Sequence, residues 1–232
     1  MVDLYANDFG GYPPLDKIIA WPPCAAISLK AAEGTYYKPR WFKKQWPLVK
    51  QLAGDRYGKT FFRQAYTFLK FDLLGMTQAD YFLQAIDEAG GWGDGDFPVS
   101  IDAEAGSEHN TNRKAGKQQI IDCISTCAER LKGATGRPVI LYGIGILRDH
   151  RIIGRLGCDY LWAANYNAHL PASEYTSLGW KVSELFAWQY AGTPDGGKLA
   201  GYPLTVPGCG QKTLDMSALQ IKDLPGLCAE RV

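Results

Sequence analysis

Short apolar runs recur along the chain, each bounded by glycine, proline or polar clusters. They predict strands at Val2–Ala6, Ala25–Ala31, Gln64–Leu69, Pro98–Ala103, Val139–Gly143, Tyr160–Tyr166, Leu185–Tyr190 and around Thr213–Met216. Between them the apolar period lengthens to that of a helix. Trp41–Leu52 carries Phe42, Trp46, Val49 and Leu52 on one face, with Pro47 expected to kink or restart it. Thr77–Ala89 carries Ala79, Phe82, Leu83 and Ile86. Asn112–Lys132 has the clearest stripe, Ile120, Ile124, Cys127 and Leu131, with Gly133 as the stop signal.

Apolar strands alternating with helices argue for a parallel sheet covered by helices, and eight strand candidates favour a closed barrel over an open sheet. Helical signals weaken after Tyr166, so loops are expected between the last strands. No internal repeat, low-complexity linker or composition break divides the chain, and residues 1–232 are expected to form one domain.

Composition supports a folded core: 46% of residues are hydrophobic and 21% charged. A formal net charge of +1 without a long basic run gives no sign of a nucleic-acid partner. Seven Trp and thirteen Tyr provide flat apolar faces with polar edges on which sugar rings stack, although most such residues serve the core. Six cysteines at irregular spacings, no CxxC pair and three scattered histidines argue against a zinc site, and no cofactor is expected. The start, Met1 to Tyr5, lacks a basic segment followed by an apolar stretch. No apolar run approaches the ~18–20 residues of a membrane span. Synthesis in the cytoplasm without a signal peptide, and no membrane insertion, are therefore expected.

The candidate chemistry lies in the run Phe97–Ser107. On a strand, Ser100, Asp102 and Glu104 face one side and Val99, Ile101 and Ala103 the other. Two neighbouring carboxylates repel, which raises a pKa and can keep one of them protonated near neutral pH. A proton donor beside a fixed carboxylate is the equipment for breaking a glycosidic bond. Alone, Asp-x-Glu is a weak signal that also suits a divalent cation or a solvated strand end.

An ordered series of segments strengthens it. AAISLKAAEGTY at residues 25–36 resembles the strand and loop of the family 25 glycoside hydrolases, muramidases of the Chalaropsis type. In the family's order follow AYTF (65–68), QADYF (78–82), VSIDAE (99–104), RPVILY (137–142), LWAANY (161–166), WQY (188–190) and LDM (214–216), with VDLY (2–5) ahead of them. The resemblance implies a flattened TIM-like α/β barrel of five β/α units followed by three β-strands. It implies cleavage of the β-1,4 bond between N-acetylmuramic acid and N-acetylglucosamine in bacterial peptidoglycan. Glu104 would be the general acid and base, and Asp102 would assist the substrate's acetamido group. Asp3 and Asp215 would complete an acidic floor. Tyr66, Tyr142, Trp162, Tyr166 and Trp188 could stack on sugars, and Gln189 could hydrogen-bond them.

Thr67 replaces the family's usual histidine, and Asp3 competes with Asp8 for the role of first aspartate. Glu33 suits either an outer position in the site or a structural pair with Lys30. The resemblance also suggests a compact phage endolysin, monomeric, without a separate wall-binding domain, and released to the wall through a holin-type pore. The rival reading is a glycan-binding barrel with weak or lost catalysis; retention of both Asp102 and Glu104 counts against it.

Overall fold

The computed structural model describes residues 1–4, 12–56, 60–93, 95–167, 169–192, 203–209, 214–221 and 228. Eight strands close into a barrel in chain order: β1 (Val2–Leu4), β2 (Ala26–Glu33), β3 (Phe62–Phe68), β4 (Val99–Asp102), β5 (Val139–Tyr142), β6 (Tyr160–Ala164), β7 (Leu185–Ala191) and β8 (Asp215–Leu219). Neighbours from β1 to β7 pair parallel, whereas β8 runs antiparallel to both β7 and β1. The mixed α/β barrel expected from the pattern is present, with its last strand reversed.

Helices α1 (Leu15–Ala20), α2 (Phe42–Gln51), α3 (Gly75–Glu88), α4 (Lys117–Thr135) and α5 (Ile144–Asp149) fill the first five connections. A five-residue helix, α6 (Ala172–Thr176), and one 3-10 turn lie between β6 and β7. The fading helical signal after Tyr166 matches this shortening.

Two local expectations change. Helix α2 runs through Pro47 without a break and continues as a π-turn over Leu52–Arg56. The apolar face Phe42, Trp46 and Val49 is buried, and this packing outweighs the one backbone bond that proline cannot make. Helix α4 passes Gly133 and stops at Gly136, whose φ of 62° supplies the left-handed turn; its N–H bonds to Lys132 O at 2.8 Å. A glycine within a helix costs only about 1 kcal/mol against alanine, so the stripe ending at Leu131 carries the helix past residue 133. The first strand candidate reached Ala6 and the last began at Thr213, but residues 5–11 and 210–213 lie outside the described residues.

Alternation divides every strand between two cores. Val2, Leu4, Ile27, Leu29, Val99, Ile101, Val139, Leu141 and Leu161 point outward beneath the helices. The barrel's interior floor is apolar. Phe62 stacks on Phe97 at 4.7 Å and Phe97 meets Phe186 edge-on at 5.3 Å, beside Met1, Ala26 and Ile140.

Under this floor lies an ion cluster. Asp96, fully buried, accepts from Arg63 Nε at 2.7 Å and from the far guanidinium nitrogen at 2.9 Å. It also accepts from Gly93 N at 2.8 Å and pairs with Lys50 at 3.1 Å. Arg63 further donates to Trp46 O and lies 3.9 Å over the Trp46 ring. This ties α2 to β3 and to the approach to β4. Removing one partner strands the other charge in the interior. Asp96→Ala is expected to lower the unfolding free energy by about 3–5 kcal/mol in urea denaturation; a loss under about 1 kcal/mol would place the cluster among weak surface pairs.

Candidate active site

The interior turns polar toward the C-terminal ends of the parallel strands. On β2, Ser28 and Lys30 face inward between outward Ile27, Leu29 and Ala31; on β4, Ser100 and Asp102 do the same. Strand register sets Phe68, Asp102, Tyr142 and Trp162 side by side across β3 to β6. Closure of the barrel pairs Asp3 on β1 with Asp215 on β8, residues far apart in sequence.

These side chains surround a cavity of about 380 Å³. Asp3, Tyr66, Asp102, Glu104, Tyr142, Trp162, Gln189 and Asp215 of the expected residues line it. Glu33, for which an outer position in the site is one of two readings, joins them, as do Lys30, Phe68, Ser107 and Asn110, which the pattern did not put forward as site residues. Asp8, the alternative first aspartate, lies outside the described residues. A second cavity of about 360 Å³ shares Glu104, Gly106 and Tyr142 with the first and contains Tyr166. Glu104 therefore stands on the divide of one groove.

Trp188 is the exception among the expected residues. It lines neither cavity, packs on the outer core and donates its ring N–H to Asn165 O at 2.7 Å. The register explains this: Leu161 pairs with Leu185 but Trp162 with Ala187, so an extra residue at Phe186 sets the inward positions to Ala187 and Gln189. Adjacent residues of one strand cannot both face the cavity, and here it is Gln189 that does.

Local packing fixes the acid-bearing segment. Strand β4 ends at Asp102, and Ala103 N still bonds Tyr142 O at 2.8 Å, so Glu104 leaves the barrel in line with Asp102. A Cβ at Gly143 would lie 2.7 Å from Ala103 O, so glycine permits this close approach of β5's end. Asn112, fully buried, donates to Glu104 O at 2.8 Å and Leu69 O at 2.7 Å and accepts from Phe71 N at 2.8 Å. It clamps the Glu104 backbone to the end of β3.

Burial and mutual repulsion shape the electrostatics. Desolvation raises the Asp102 carboxyl well above its ordinary range, with Glu104, Asp3 and Glu33 adding to the push and Lys30 opposing it. Glu104 is also raised, chiefly by the protein packed around it, although part of its side chain reaches solvent. Lys30 and a hydrogen bond donated by Tyr142 hold it down. Burial and the surrounding carboxylates push the Tyr142 phenol far up, so it stays a donor. Oδ1 of Asp102 and Oε1 of Gln189 accept no hydrogen bond among the described residues. Such an arrangement holds a proton beside a carboxylate acceptor, in a space suited to a polar ring. Among the described residues, no group of three or more His, Cys, Asp or Glu is arranged to hold a metal ion.

Comparison with known proteins bears on this geometry. The family model for glycosyl hydrolases family 25 matches residues 22–197. That span includes Asp102 and Glu104 but neither Asp3 nor Asp215, which the barrel's closure brings to the same cavity. Among solved structures, the bacterial lysozyme from Streptomyces coelicolor is similar at a TM-score of 0.70 and 20% identity, over 98% of this chain and 95% of that one. The catalytic domain of an endolysin from a Listeria monocytogenes bacteriophage gives a TM-score of 0.64 at 14% identity, over 97% and 95% of the two chains. A family 25 glycosyl hydrolase from Bacillus anthracis gives 0.62 at 21% identity, over 82% and 77%. At these identities the likeness concerns the fold. Comparison with curated protein sequences gives no match.

The raised carboxyls make a stability prediction. A group whose folded pKa lies above its unfolded value binds its proton more tightly in the fold. It therefore destabilises the fold once ionised, and the penalty vanishes below the unfolded value near pH ~4. Asp102→Asn is expected to raise the melting midpoint by about 2–6 °C at neutral pH. The gain should shrink toward zero as the medium approaches pH ~4. A lowered midpoint at neutral pH would mean that Asp102 is held by favourable contacts that offset its burial.

Proposed function

Because the chain belongs to the glycosyl hydrolases family 25, and is thus a glycoside hydrolase, we propose that residues 1–232 form a single N-acetylmuramidase domain. It cleaves the β-1,4 bond between N-acetylmuramic acid and N-acetylglucosamine in bacterial peptidoglycan. The observation that carries this reading is the pair Asp102 and Glu104, two neighbouring carboxyls that line one cavity and are both raised by burial.

Glu104, on the divide of the groove, is the general acid. It gives its proton to the bridging oxygen as the anomeric C–O bond breaks. The substrate's acetamido oxygen attacks the anomeric carbon and forms a cyclic oxazolinium intermediate. Asp102, whose side chain lines the cavity, accepts the acetamido N–H and stabilises the positive charge that develops there. Glu104, now a carboxylate, takes a proton from water as that water opens the ring, and the anomeric configuration is retained. Substrate assistance of this kind departs from the two-carboxylate scheme of most glycosidases.

Burial raises both carboxyls, so the pair binds protons more tightly than free carboxyls do. A donated acetamido N–H favours the ionised form of Asp102 and leaves the proton on Glu104. Substrate binding thus sets the acid and the carboxylate in their working states. Asp3 and Asp215 add negative charge that steadies the developing cation. Tyr66, Tyr142 and Trp162 offer ring faces, and Gln189 a hydrogen-bonding amide, to the sugar before the cleaved bond. Tyr166 serves the leaving-group side, in the second cavity.

No helix among the described residues is long and apolar enough to cross a membrane. We read the protein as a monomer that reaches the wall by release from the cell that makes it, as an endolysin does.

Purified protein is expected to release reducing ends from peptidoglycan. Mass spectrometry of the digest should find muramic acid at the new termini, whereas glucosamine termini or free peptides would point to another wall-lytic chemistry. Glu104→Gln should lose at least about 10³-fold in kcat, and Asp102→Asn about 10²–10³-fold, both still melting cooperatively and at no lower a midpoint than wild type. Wild-type turnover in Glu104→Gln would overturn the assignment of the acid. Activity should be unchanged by a chelator.

A further inference from the structure

The first cavity sets one ammonium, that of Lys30, against five carboxyls, Asp3, Glu33, Asp102, Glu104 and Asp215, among the described residues that line it. Lys30 is almost wholly buried, with 7% of its side chain exposed. Burying a cation that deeply costs several kcal/mol unless its charge is used by neighbours. Its position is built. Lys30 pairs with Tyr66 in the β2–β3 register, and its Nζ lies 4.8 Å from the centre of the Phe68 ring, next to Asp102.

Glu33 lies three residues on, which in a regular strand puts it on the opposite face. Between Lys30 and Ala32 the register shifts by one residue, so Ala32 pairs with Thr67 and Glu33 with Phe68. The bulge turns Glu33 back to the inward face, where its Oε2 meets Lys30 Nζ at 2.6 Å. The Tyr36 hydroxyl reaches the other oxygen of Glu33 at 3.4 Å. A bulge that re-aims one side chain beside a cavity is a device that regular pairing would not produce.

We propose that Lys30, anchored by Glu33 through this bulge, is a positioning residue whose ammonium balances the charge of the Asp102–Glu104 pair and thereby sets the pH range of the reaction. This rests on the muramidase reading above. The charges around the pair come from every side. Asp3 and Asp215 face it from β1 and β8, and Glu33 from the end of β2. Phenols come from Tyr66 on β3 and Tyr142 on β5, with Tyr166 just beyond β6. Strand β7 contributes the neutral Gln189. Glu104, Asp3 and Glu33 push Asp102 toward its protonated form, and Lys30 opposes protonation at both members of the pair. The active form carries one proton on the pair, so the acidic limb of the rate profile follows the pair's first ionisation and the alkaline limb its second.

The test compares wild type with Lys30→Met, Lys30→Arg and Glu33→Gln, each checked for a cooperative melting transition. The kcat/KM profile on peptidoglycan is measured against pH. In parallel, carbon-13 NMR follows the side-chain carboxyls of Asp and Glu through the same titration. Lys30→Met removes the cation at nearly constant shape and should move both limbs, and both carboxyl titrations, up by about one pH unit. Lys30→Arg keeps the charge and should return them to within about 0.3 of wild type. Glu33→Gln leaves the cation less neutralised and should move them down. A purely structural pair would alter stability without opposite shifts from the two partners. Unmoved carboxyl titrations in a folded Lys30→Met, or an upward shift in Glu33→Gln, would overturn the proposal. If wild type does not cleave peptidoglycan, the muramidase reading fails and the NMR titrations alone decide the role of Lys30. If Lys30→Met does not fold, the sign of the Glu33→Gln shift decides it.

Discussion

Asp102 and Glu104 repel each other in a space from which much of the water is excluded, and such a pair stays together only if its scaffold cannot relax. A loop would splay and let both carboxylates reach solvent. Here Asp102 is the last residue of a strand hydrogen-bonded on both sides, and Glu104 follows two residues later with its backbone clamped by Asn112. The energy that holds them comes from elsewhere in the barrel. It comes from the outward apolar rows beneath the helices, the stacked phenylalanines of the floor and the buried Arg63–Asp96 cluster. Strain at the mouth and rigidity at the base are two ends of one design, since a closed sheet transmits little displacement along its strands.

Closure also explains why the acidic floor is complete. Asp3 and Asp215 meet only because β8 inserts antiparallel between β7 and β1. A parallel eighth strand would present its C-terminal end at the mouth. The reversed strand presents its first residue there instead, and that residue is Asp215. The unusual direction of one strand therefore has a chemical consequence.

Much of this was legible in the sequence where a single rule governed the outcome. The alternation Val99, Ile101, Ala103 against Ser100, Asp102, Glu104 foretold the two faces of β4, because a central parallel strand has no freedom to do otherwise. Where two rules competed, sequence alone could not choose. Gly133 and Gly136 are both plausible helix stops, and the decision fell to the packing of Leu131 and the backbone geometry available at Gly136. Trp188 and Gln189 are both attractive sugar contacts, and an extra residue at Phe186 that leaves no mark in composition decided between them. Asn112 gave no signal at all, since a buried asparagine looks the same in sequence as one in a solvated turn.

Lys30 and Glu33 lie between these cases. A lysine on the polar face of a strand that otherwise carries Ala26, Ser28 and outward Ile27 and Leu29 is anomalous, and the anomaly can be read in the sequence. The spacing of three to Glu33, however, argues against a shared face in a regular strand, and the sequence leaves an outer place in the site and a structural pair with Lys30 equally open. Only the bulge reconciles the two, and it does so next to the acid pair rather than at a sheet edge. An ion pair that needs an irregular backbone to exist, and that brings a buried cation into a cavity of carboxyls, is poorly explained by stability, because apolar side chains would pack there at less cost. It is better explained as the counter-charge that sets where two repelling carboxyls titrate.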